Sequence, residues 1–172
     1  MSRFIVTDPN RCIACRTCEV ACVVAHTEGE DISILSPEYF APRIHVIQTE
    51  EISTAITCRQ CEDAPCARVC PNQAIKRING VVQVQQELCI GTKTCEVACP
   101  YGVIEVRPVP VIKEVDGQNT VVGSRIEALM CDLCVDRSDG PACLKACPTK
   151  AIHCMDQQQL QEFIRKRKQA SQ

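Results

Sequence analysis

The chain has no tryptophan, three phenylalanines and two tyrosines, so the large rings that supply much of a small protein's buried area are scarce in its 172 residues. Something other than a thick apolar core must offset the chain entropy. Bound metal is the leading candidate. Charge of one sign is lacking too: 19 basic and 21 acidic residues are mixed along the sequence for a net charge of −2, which disfavours nucleic acid as a partner. No apolar run approaches the roughly 18 residues of a membrane span. The opening stretch Met1-Ser2-Arg3-Phe4-Ile5-Val6-Thr7-Asp8 meets an acid at Asp8 and leaves no room for the apolar region of a signal peptide. A cytoplasmic location is the expectation.

What is abundant is cysteine, with 16 residues. In a reducing compartment an even, clustered set argues for metal ligation over disulfides. The cysteines form four groups: Cys12, Cys15, Cys18, Cys22; Cys58, Cys61, Cys66, Cys70; Cys89, Cys95, Cys99; and Cys131, Cys134, Cys143, Cys147. Cys154 stands alone and reads as a structural thiol rather than a ligand, since free cysteine packs as a small hydrophobe. The first group has the pattern C-x2-C-x2-C-x3-C. That is the iron–sulfur run of bacterial ferredoxins, in which three close thiolates grip one cubane and the fourth reaches its neighbour.

Pro71, Pro100 and Pro148 follow the last cysteines of groups two, three and four, where proline turns the chain away and needs no amide partner. The first group departs from this, with Val23 after Cys22. Groups two and four read C-x2-C-x4-C-x3-C and C-x2-C-x8-C-x3-C, the extra residues carrying Pro and Gly turn signals. A tetrahedral zinc site has no role for third and fourth cysteines at that spacing with proline after them.

An internal repeat sharpens the reading. CIACRTCEVAC at 12–22 aligns without gaps with CIGTKTCEVAC at 89–99, and DAPCARVCPNQAI at 63–75 resembles DGPACLKACPTKAI at 139–152. The chain looks duplicated, as two halves of two motifs each. The position equivalent to Cys15 is Thr92, so one thiolate is missing.

Outside the cysteines, apolar and polar residues alternate around Asn79-Gly80 between Lys76 and Val84, a strong hairpin signal. A second hairpin is expected across Val109 to Val122, turning near Asp116-Gly117. Cys18 to Ala25 and Cys95 to Cys99 read as single helical turns held by clusters. Residues 23–57 form an insertion with Ile44, Val46 and Ile47 in strand, and 156–168 have helical spacing through Leu160, Phe163 and Ile164. Arg165-Lys166-Arg167-Lys168 makes that helix end positive, a favourable terminus or a docking patch for an acidic partner. His26, His45 and His153 lack ligand-like spacing and read as packing or surface residues. The fold class expected is α+β with much loop.

The four groups, their order and spacings resemble a known family: four-cluster iron–sulfur electron-transfer subunits that partner formate dehydrogenases and hydrogenases, of the HydN and formate-hydrogenlyase small-subunit type. The resemblance rests on residues 12–22, on CRQCEDAPCARVCPNQAI at 58–75 and on CDLCVDRSDGPACLKACPTKAI at 131–152. It implies two ferredoxin-like dicluster units related by pseudo-symmetry, an outer one from residues 1–56 and 111–172 and an inner one from 57–110.

It also implies crossed wiring. Cys12, Cys15, Cys18 and Cys147 would hold cluster 1, and Cys131, Cys134, Cys143 and Cys22 cluster 2. Cys58, Cys61, Cys66 and Cys99 would hold cluster 3, leaving Cys89, Cys95 and Cys70 for cluster 4 with Thr92 at its open corner. A hydroxyl is a weak ligand beside a thiol that metal readily deprotonates. The cofactors expected are three [4Fe-4S] clusters and one [3Fe-4S] or incompletely ligated [4Fe-4S] cluster. An empty fourth site is a further alternative.

No nucleophile–base pair, phosphate loop or flavin motif appears, so the expectation is an electron carrier without substrate chemistry of its own. Its implied partner is a formate dehydrogenase or hydrogenase catalytic subunit, with further iron–sulfur subunits or self-association as added options. The rival reading is a structural, assembly or maturation protein of such a complex. A catalytic cluster using an open iron near Thr92 as Lewis acid is a second, weaker rival.

Overall fold

A computed structural model describes residues 2–27, 36–115 and 117–170. Asp116, at the expected second turn, and residues 28–35 of the insertion lie outside the described residues. In chain order the elements are β1 (Phe4–Thr7), α1 (Thr17–Ala25), β2 (Ile44–Gln48), β3 (Ser53–Thr57), α2 (Pro65–Arg68), β4 (Ile75–Ile78), β5 (Val81–Val84), α3 (Thr94–Ala98), β6 (Glu105–Val115), β7 (Gln118–Leu129), α4 (Ala142–Ala146), β8 (Ile152–Met155) and α5 (Gln157–Ala170). The strands form four separate two-stranded sheets, β1-β8, β2-β3, β4-β5 and β6-β7. The chain is α+β, as its patterning implies.

Local chemistry explains the hairpins. Asn79 and Gly80 have φ of 50° and 83°, both in the left-handed region that a two-residue type I′ turn demands. Ile78 and Val81 close the β4-β5 ladder around them. The β6-β7 ribbon is longer than the sequence suggests, pairing Glu105 with Leu129 at its base. Pro108 and Pro110 discourage a strand assignment there. They stand two apart, so their missing amides fall on the same edge of a ribbon that has no third strand to satisfy.

Helix α1 corrects an expectation. It runs nine residues rather than one turn, burying Cys18, Glu19, Cys22 and Val23. Tertiary packing of that face extends a segment whose own propensity is weak. Helix α5 starts where expected: Asp156 accepts from the Gln159 amide at 2.9 Å while Gln159 accepts from the Asp156 amide at 3.1 Å, a reciprocal cap. At its far end Arg167 donates to Asp8 at 2.9 Å, which ties the basic tail to the body.

The apolar interior is divided. One core gathers Ile75, Val82, Val103, Ile104, Val106 and Met130 with Cys58, Cys66 and Cys95. The other gathers Ile5, Ile44, Val46, Ala55, Leu133 and Ile152 with Cys18, Cys22 and Cys143. Met130 and Leu133 belong to different cores, and Cys131 between them packs against both. The chain passes from one core to the other at that cysteine.

Candidate metal centres

The structure gathers cysteines that are far apart in sequence. Cys12, Cys15, Cys18 and Cys147 line one cavity of ≈ 310 Å³. Cys58, Cys61, Cys66 and Cys99 line a second of ≈ 320 Å³. Cys70, Cys89, Cys95 and Thr92 line a third of ≈ 330 Å³. Cys22, Cys131, Cys134 and Cys143 form a fourth group, close enough that each of Cys131, Cys22 and Cys134 disfavours ionisation of Cys143. Cys154 lines none of the three cavities; it sits half-buried on β8 against the second core.

The loops owe this aim to residues in the left-handed region. Ala14 and Arg16 have φ of 55° and 59°, and their repeat partners Gly91 and Lys93 have 73° and 61°. Such kinks curl a short loop so that its side chains converge. The Cys-Pro loops repeat as well. Gln73 and Lys150 both have φ of 52°, and the next amide donates to the cysteine sulfur, Ala74 to Cys70 Sγ at 3.3 Å and Ala151 to Cys147 Sγ at 3.2 Å. Amides of Gln60 and Arg43 do the same for Cys58 Sγ (3.4 Å) and Cys22 Sγ (3.3 Å).

Burial disfavours the bare thiolate. It pushes Cys22 and Cys58 up to about 12, and Cys18, Cys66 and Cys131 up to about 11, from the usual thiol range. Cys147 goes the other way: burial opposes ionisation there, but the Thr149 hydroxyl and the amides of Ala151, Ile152 and Thr149 outweigh it. A metal that binds sulfur removes the proton outright. Sites of this kind, with converging sulfurs that are buried or half-buried apart from Cys15 and with amides directed at several of them, fit iron–sulfur clusters held by thiolates.

Several contributors escape sequence reading. Glu19, 4% exposed, accepts from the Val46 amide at 2.6 Å, and its repeat partner Glu96 accepts from the Val106 amide. The repeat preserved this acid in TCEVAC at both places, which is the signal that could have found it. Beside the fourth group, Asp132 accepts from His26 Nε2 at 3.2 Å, from Arg43 and from the Cys134 amide at 2.9 Å. Burial opposes its charge, yet the His26 hydrogen bond and the Arg43 guanidinium hold its carboxyl down to about 2. His26 is therefore part of a polar network. His153 packs its ring against Phe163 at 5.4 Å.

At the Thr92 corner the repeat differs by one functional group. The Thr17 hydroxyl donates to Cys15 Sγ at 3.3 Å, while in the other loop Thr94 meets the Thr92 hydroxyl at 3.1 Å. The cavity is undiminished.

Cysteine loops that trade their last members around shared cavities define a ferredoxin-type iron–sulfur protein. Two models described as 4Fe-4S dicluster domains match residues 50–114 and 88–151. The chain belongs to the family of 4Fe-4S electron-transport proteins that includes HydN. It is 58% identical to the electron transport protein HydN of Escherichia coli K12 over 163 residues, covering 95% of this chain and 93% of that one. The putative electron transport protein YsaA of the same organism is 50% identical, covering 94% of each. Formate hydrogenlyase subunit 2 is 38% identical over 91% of this chain and 83% of its own. No helix among the described residues is long and apolar enough to cross a membrane.

Proposed function

We propose that the chain relays single electrons in the cytoplasm between the catalytic subunit of a formate dehydrogenase or hydrogenase and another carrier. The observation that carries this reading is the exchange of last cysteines: Cys147 lies with Cys12, Cys15 and Cys18, and Cys99 with Cys58, Cys61 and Cys66. That pattern belongs to paired clusters. The ligand sets are Cys12, Cys15, Cys18, Cys147; Cys131, Cys134, Cys143, Cys22; Cys58, Cys61, Cys66, Cys99; and Cys89, Cys95, Cys70 with Thr92 at the open corner. The outer unit comprises residues 1–56 and 111–172, and the inner unit 57–110.

When bound, each cluster supplies a one-electron couple; the protein's part is to hold sulfur and direct amides at the thiolates. Three sites take [4Fe-4S] and the Thr92 site takes [3Fe-4S], about 15 irons per chain. The test is anaerobic purification with iron, sulfide and spin-resonance analysis, followed by mixing with a reduced formate dehydrogenase or hydrogenase. Cluster reduction at the enzyme's turnover rate is the expected result. Zinc in place of iron overturns the metal assignment, and clusters that stay oxidised beside the reduced enzyme favour a structural or assembly role.

A further inference from the structure

Gln60 is the most buried polar residue outside the ligands among the described residues, 1% exposed, and it spans three parts of the molecule. Its amide N–H donates to Cys58 Sγ at 3.4 Å. Its side-chain Nε2 donates to the Cys131 carbonyl at 2.8 Å, and its Oε1 accepts from the Val82 amide at 2.6 Å. Cys131 is also the residue that touches both cores.

The repeat supplies an internal control. The residue matching Gln60 in the loop Cys131-Asp132-Leu133-Cys134 is Leu133, with φ of 60° against 54° for Gln60. Leu133 is likewise buried, at 8% exposed. A C-x2-C loop of this shape therefore needs no amide at that position. The buried carboxamide answers to something else, and its partners name it: the first cysteine of the other unit and a strand of its own.

We propose that Gln60 is a positioning residue for the junction of the two dicluster units. Resting on the function proposed above, it fixes Cys131 against the Cys58 loop and so sets the separation and polar surroundings of the two central sites. Electron exchange at such a junction involves one electron leaving one couple and entering the other, with no bond made or broken. Its rate falls steeply with distance and across unbonded gaps. Gln60 offers a bonded route in place of a gap, from Cys58 Sγ through its own N–H and side chain to the Cys131 carbonyl.

The test uses the full chain, loaded with clusters and reduced by a light pulse. Gln60→Leu copies the matching residue of the other loop. Iron content should hold, exchange between the two units should slow severalfold, and the spin coupling between the Cys58 and Cys131 sites should weaken. The potentials of the Cys12 and Cys89 sites should stay put. Loaded Gln60→Leu protein with unchanged exchange and coupling overturns the proposal. If Gln60→Leu fails to load, Gln60→Glu, which keeps an acceptor for the Val82 amide and loses the donor to the Cys131 carbonyl, decides: a weakened spin coupling between the Cys58 and Cys131 sites supports the role, an unchanged coupling overturns it, and failure to load assigns Gln60 to folding alone. A wild-type protein without iron–sulfur clusters defeats the functional reading itself, a result visible before any variant is made.

Discussion

The loops at 12–22 and 89–99 share their left-handed residues, a helix glutamate bonded to a strand amide and the size of the cavity they cover, yet Cys15 stands in one and Thr92 in the other. Of the three positions at which they differ, Ala14/Gly91, Cys15/Thr92 and Arg16/Lys93, only the second changes a ligand-forming atom. If the third loop had lost its metal role altogether, the cavity walls and Cys70, Cys89 and Cys95 would have no reason to keep the matching geometry. The comparison teaches that backbone and donor can vary separately. The loop is held by glutamate and left-handed turns, and the corner atom is free to change what the site retains.

The comparison breaks most completely if both loops are emptied. Chelating the metal should unfold the chain, because two small cores with few aromatics depend on ligand binding for their stability; circular dichroism of the stripped protein should lose its cooperative transition. A stripped protein with the melting temperature of the loaded one would show that the loops stand without metal.

Exchanging the corner atoms is the next largest effect. Thr92→Cys should raise iron by about one atom per chain and lower that site's potential, and Cys15→Thr should impose the converse on the first loop. Elemental analysis and spin resonance read both. In the same class, Cys22→Ser should damage the site of Cys131, Cys134 and Cys143 and spare the one beside it in sequence.

Smaller effects should come from the glutamates. Glu19→Ala leaves the buried Val46 amide without its partner and should cost about 1–3 kcal/mol, whereas Glu96→Ala, less buried, should cost less; denaturant melts of the loaded protein measure the gap. The smallest effect is expected at the hydroxyls. Thr17→Val removes a donor to Cys15 Sγ and should lower the potential of that site, while Thr94→Val, whose partner is Thr92, should leave the potential of its own site nearly where it was.

Much of this molecule was legible before its structure. The cysteine spacings, the Asn79-Gly80 turn, the strand around Ile44 and the helix after Asp156 each follow from short-range chemistry: ligand geometry, positive φ, alternation and capping. What was hidden depended on distant partners. Glu19 and Glu96 look like ordinary acids on an exposed helix face, and Gln60 like any polar loop residue, until the strand amides they serve are brought against them. The length of α1 escaped for the same reason, since its packed face rather than its composition sustains it. The base of the long ribbon escaped because its pairing of Glu105 with Leu129 lies far along the chain from the turn that announces the hairpin.

The pairing of β1 with β8, Phe4 against Met155 through Thr7 against Ile152, orders events during synthesis. The cavity of Cys58, Cys61, Cys66 and Cys99 is bounded by residues that leave the ribosome together, so it can close while the chain is still growing. The cavity of Cys12, Cys15 and Cys18 waits for Cys147, and its supporting strand waits for residue 155. Contacts this far apart in sequence form late and slowly. The first cysteines made are thus among the last to be enclosed, and during that interval they stand open to oxygen, stray metals and each other.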